Sequence, residues 1–150
     1  MPETPAPVAA RCSPATRART RRLAAAGCVL PVVALGLGAR FLGAGLPADI
    51  AGGAIYAVLI YVLATFLRPG AARTGNALAA LVFCVLIELL QLTDLPASLG
   101  QVFPPVRLVL GSTFVPLDLL AYLVGTVLAL GADAGFARLA RARRGSAPRP

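Results

Sequence analysis

Residues 50–67 read IAGGAIYAVLIYVLATFL, eighteen consecutive positions without a charge. As a helix this stretch rises about 27 Å, close to the ~30 Å hydrocarbon thickness of a bilayer. A soluble core helix would need a polar face, and this one has none. Three similar stretches flank it, at residues 23–42, 76–95 and 117–136. Each falls in the range of about 17–25 residues that a membrane span requires.

Composition agrees. The chain has 150 residues, 58% hydrophobic and 13% charged. Soluble domains average about 45–50% apolar and about 25% charged. A small domain has too little interior to hide such an excess, so the surplus must face lipid. The expected fold is all-α, an integral-membrane four-helix bundle of one domain (residues 23–137). Arg-rich tails at 1–22 and 138–150 are expected to be disordered, since they offer little apolar surface to bury.

The net charge is +8, and every basic residue is Arg. Strong basicity can mark nucleic-acid binding. Here the Arg residues flank apolar segments and do not line one soluble face, so nucleic acid is not an expected partner and membrane lipid is. Arg21-Arg22 followed by an apolar run resembles a twin-arginine signal, and Ala25-Ala26-Gly27-Cys28 a lipoprotein cleavage box. The run continues past Cys28 for a full span, so an uncleaved first helix is expected.

Twelve Arg lie in the two tails and the 68–75 connection, against only Arg40 and Arg107 in the opposite connections. The positive-inside rule then predicts cytoplasmic N- and C-termini in the inner (plasma) membrane. Cys12, Cys28 and Cys84 show neither metal spacing nor a disulfide framework, and the chain has no His. No metal and no cofactor are expected.

Four crossings bring the unusual polar residues to one side of the membrane. Glu88 sits inside the apolar run 81–92, where a carboxylate costs about 2.5–3.5 kcal/mol and must find a partner within the protein. Gln91 shares its helix face. Asp118, Tyr122 and Gly125 share a face of the last helix. Ala121, Gly125 and Ala129 form a ridge of small residues that lets another helix approach. The last two spans are expected to pack, with Glu88, Gln91, Asp118, Tyr122 and Arg107 making a polar pocket at the outer end. Simpler roles exist for the same residues. Asp118 and Asp49 each follow a proline by two positions and could cap helix starts, and Glu88 could clasp two helices together. The connection 94–116, with Pro96, Pro104-Pro105 and Gly111, is expected to hold no fifth helix. Pro31 could kink the first helix.

Three stretches taken together, LIELLQL at 86–92, RLVLGSTF at 107–114 and DLLAYLVG at 118–125, resemble a small bacterial membrane family. It is catalogued only as a domain of unknown function (family 2809) and is similar to VanZ. The VanZ-like pattern has Glu-x-x-Gln on one helix, Arg in the following loop, then Asp and Gly on the next helix. Glu88, Gln91, Asp118 and Gly125 match it, and Arg40 and Gly52 resemble further family features. The likeness covers roughly residues 40–130. Where related chains often carry Gly-Asp ahead of the second helix, this chain has Gly52-Gly53, with Asp49 a turn earlier. VanZ is associated with resistance to glycopeptides of the teicoplanin type, so the resemblance implies a link to the cell envelope and no established reaction. The expected function is a membrane-embedded binding or accessory protein whose pocket takes a lipid-linked envelope ligand. The alternatives are an enzyme using Glu88 and Asp118 as an acid–base pair on such a lipid, a small transporter, and a purely structural bundle.

Overall fold

The computed structural model describes residues 13–111 and 114–145. The tail residues 1–12, with Cys12, the pair 112–113 and residues 146–150 lie outside them. Every regular element described is a helix: α1 (Pro14–Leu42), α2 (Gly45–Leu67), α3 (Arg73–Leu90), α4 (Leu95–Val102), α5 (Val106–Leu110) and α6 (Pro116–Gly145). Among the described residues four helices, α1, α2, α3 and α6, are long and apolar enough to cross a membrane. The all-α, multi-pass expectation holds.

Several boundaries differ from the sequence reading. The tail expected to end at residue 22 is helical from Pro14. Ser13 caps it, its Oγ accepting the Thr16 N–H at 3.3 Å, and Pro14 supplies the fixed φ of a first helical residue. At the other end α6 carries on through the Arg-rich stretch to Gly145. Arg is a good helix former, and a helix already nucleated in the membrane propagates through it. Pro31 lies inside α1, which is assigned as one helix across it. α2 starts at Gly45, whose φ of 70° closes the short turn after α1. Asp49 is therefore inside the helix and does not cap it. α3 stops at Leu90, where the Thr93 hydroxyl donates to the Leu90 carbonyl at 2.7 Å.

The connection expected to lack helices contains two. Pro96 falls in the first turn of α4 and Pro105 at the N-cap of α5, positions where a missing N–H costs nothing. Proline starts these helices where it was expected to prevent them.

α2 is the hub. It packs against α1, α3 and α6, and α3 packs against α6, whereas α1 packs along α2. The α2–α6 contact is the closest. A Cβ on Gly125 would collide with the Ala54 backbone, and one on Gly53 would press on the Ala121 methyl. The small-residue ridge thus serves α2 first, with Ala129 meeting Tyr61, Ala77 and Ala80 lower down. Without a hydrophobic drive between helices in lipid, such close backbone approach is a principal source of packing energy.

Candidate functional site

The apolar run of α3 brings Glu88 to the end of the bundle where α1 turns into α2 and α4 and α5 lie. Glu88 is wholly buried, on the α3 face turned to α6. Its Oε2 accepts the Tyr122 hydroxyl at 3.0 Å, and its Oε1 accepts the Val115 backbone N–H at 2.7 Å. Val115 immediately precedes α6, so Glu88 caps that helix from a neighbouring one. The arrangement satisfies an orphan N–H and sets the carboxylate at the positive end of the helix dipole. No cation pairs with Glu88 among the described residues. The partner that the sequence reading requires is supplied by two hydrogen-bond donors.

Asp118 lies in the first turn of α6, and its side chain makes no hydrogen bond among the described residues. It turns towards α2, beside Gly53. Gln91 donates from Nε2 to the Leu110 carbonyl at 2.7 Å, its side chain lying over Gly111, whose φ of 68° and missing Cβ make room. The Tyr56 hydroxyl donates to the Val109 carbonyl at 2.9 Å. Together these bonds tie α5 down onto α2 and α3. Arg107 is packed over buried Gly100, where any Cβ would meet the guanidinium stem.

Beneath α5 is a cavity of about 840 Å³ between α1, α2 and the start of α6. Gln91, Arg107, Asp118 and Tyr122 line it, and so do Arg40 and Asp49. Glu88 does not; it stands behind Tyr122. Tyr122 and Tyr56 form a tilted ring pair with centroids 6.2 Å apart. Neither arginine nor either aspartate in the lining forms an ion pair with another described residue. Gln91 Oε1 is buried without a hydrogen-bond partner among the described residues. The site thus offers two guanidinium groups, two carboxylates and an orphan acceptor. Among the described residues no three His, Cys, Asp or Glu side chains converge as metal ligands would.

A family model described as "Protein of unknown function (DUF2809)" matches residues 43–126, more than half of the chain. The chain belongs to this family. The DUF2809 match begins at the α1–α2 turn and ends within α6. It takes in Glu88, Tyr122 and every polar residue named in the cavity lining except Arg40. No curated protein and no solved structure matches the chain significantly.

The opposite end of this DUF2809 protein holds a second polar cluster, which the sequence reading did not weigh. Asp133 on α6 accepts the Tyr61 hydroxyl and an Arg21 Nη, each at 2.7 Å on Oδ2, while Arg73 Nε approaches Oδ1 at 3.2 Å. Arg21 also donates to the Pro69 and Ala71 carbonyls, at 3.0 and 2.8 Å. Nearby, Asn76 is wholly buried and donates to Thr65 Oγ1 and to the Arg68 carbonyl, both at 3.3 Å. The available signal was an acid near the end of an apolar span, facing two Arg-bearing segments.

Proposed function

We propose that the chain is a cell-envelope binding or accessory protein of the plasma membrane, with both termini cytoplasmic. Its cavity takes the polar headgroup of a lipid-borne ligand on the outer side. The observation that carries this reading is the cavity lining, where among the described residues Arg40, Arg107, Asp49 and Asp118 have no ion-pair partner and Gln91 keeps an orphan acceptor. Such a mixture suits a ligand with both anionic and hydrogen-bonding groups. Its volume falls within the range of about 300–1,000 Å³ typical of small-molecule sites. The distribution of Arg supports the orientation.

In this reading Gln91, Arg107, Asp118 and Tyr122 meet the ligand, while Glu88 holds Tyr122 and the start of α6 in place. An acid–base pair of Glu88 and Asp118 is not favoured, because Glu88 is occupied by two donors and stands outside the cavity.

The test is mass spectrometry of lipids retained by the purified chain, compared with Arg107→Ala and Asp118→Asn. Selective loss of an envelope lipid from both variants, at normal protein yield, is the expected result. Identical lipid profiles in all three proteins would sink the reading. A deletion strain under envelope stress, complemented with the same variants, gives the physiological counterpart.

A further inference from the structure

The Asp133 cluster forms one wall of a second cavity, about 710 Å³, between the ends of α1 and α6 and the α2–α3 connection. Four guanidinium groups line it, those of Arg17, Arg21, Arg73 and Arg141, against the single carboxylate of Asp133. Asp133 offsets one charge and fixes Arg21 and Arg73 in place, which leaves three positive charges in surplus. Arg17 and Arg141 have no carboxylate partner among the described residues. The tie from Arg21 to Asp133 and to the Pro69 and Ala71 carbonyls joins three segments across this wall, so its geometry is set by the fold.

Thr16 and Thr20 aside, the rest of the lining is small or apolar. Ala24 comes from α1 and Phe136, Ala137 and Ala140 from α6. Phe136 is 74% exposed and projects from the bundle surface. α1 packs along α2 and makes no comparable contact with α6, so the apolar part of the lining lies in the cleft between these two helices. A soluble anion would use only the basic part. A molecule with a phosphate at one end and hydrocarbon at the other would use both.

We propose that this cavity is a headgroup site for an anionic phospholipid, with the phosphate between Arg17 and Arg141 and the acyl chains in the α1–α6 cleft. Basic pockets between helices at the membrane surface have the chemistry for such recognition. The reading does not depend on the ligand of the cavity beneath α5.

The experiment uses the purified full chain in nanodiscs of phosphatidylcholine with and without phosphatidylglycerol. Binding is followed by competition with a spin-labelled phosphatidylglycerol. The test variant is Arg17→Ala/Arg141→Ala. The control is Arg19→Ala/Arg138→Ala, which removes equal charge from the same end, from positions as exposed as Arg17 and Arg141 but outside the lining. At roughly 1 kcal/mol for each arginine, affinity should fall about 30-fold in the test variant and much less in the control. Equal losses in both variants would mean diffuse surface attraction and would overturn the site. No preference for phosphatidylglycerol over phosphatidylcholine in the native chain would overturn it as well. A further arm adds inorganic phosphate at matched ionic strength. If phosphate alone displaced the labelled lipid completely, the site would belong to a free anion and the lipid assignment would fail.

Discussion

The two ends of the bundle solve one problem in two ways. Each places a carboxylate against a tyrosine hydroxyl, Glu88 with Tyr122 and Asp133 with Tyr61. Glu88 is fully enclosed and relies on hydroxyl and backbone donors, with no arginine paired to it among the described residues. The Asp133 side chain is 20% exposed and is flanked by Arg21 and Arg73. The contrast follows from enclosure. Near the Arg-rich end a guanidinium on a long stem can reach the acid and keep contact with the headgroup region. Where the acid is fully enclosed, a charged partner would add its own desolvation penalty, whereas a backbone N–H that needs an acceptor in any case adds almost none.

The largest effect should therefore come from Glu88→Ala. It leaves the Val115 N–H and the Tyr122 hydroxyl without their acceptor and opens a hole where a wholly buried side chain stood. We expect a loss of about 3–5 kcal/mol in reversible unfolding in micelles. Asp133→Ala should lose only about 1–2 kcal/mol, because Arg21 and Arg73 can turn towards water. Equal losses would break the comparison. Next come the tyrosines. Tyr122→Phe removes a donor to a buried carboxylate and should lose about 1.5–3 kcal/mol, while Tyr61→Phe leaves Asp133 its arginines and should lose less than about 1 kcal/mol.

Salt sharpens the distinction further. Raising ionic strength from about 0.01 to 1 M shortens the screening length from about 30 to 3 Å. The stability difference between native chain and Asp133→Asn should shrink with salt, whereas that of Glu88→Gln should stay constant. The smallest effect belongs to Gln91→Ala. It frees the Leu110 carbonyl and should raise amide hydrogen exchange over α5 with little change in global stability.

Much of this architecture was legible in residue order. Long apolar runs fix the spans, and an acid inside one, Glu88, has to turn inwards. The partner of Glu88 was not legible, because an unsatisfied N–H at Val115 exists only once α6 has begun at Pro116. Hydropathy averages hid Asp133, which sits where an apolar run passes into an Arg-rich tail and reads as a boundary. The helices α4 and α5 were missed because their prolines were read as breakers, although at a first turn or N-cap they are starters. The position of Arg107 over Gly100 depends on how those two short helices fold back on each other, and local sequence does not encode that fold in any simple period.

The central place of α2 and the late place of α6 bear on how the chain is made. A ribosome delivers α1, α2 and α3 first, with Glu88 already committed to the bilayer. Its two donors, the Val115 amide and the Tyr122 hydroxyl, belong to the segment translated last, as does Asp133, which Arg21 has awaited since the first helix emerged. The three-helix nascent chain thus carries an uncompensated acid, and only arrival of the final span closes both ends together. Chains that stall before that point keep an intramembrane carboxylate without the two donors that satisfy it in the finished bundle.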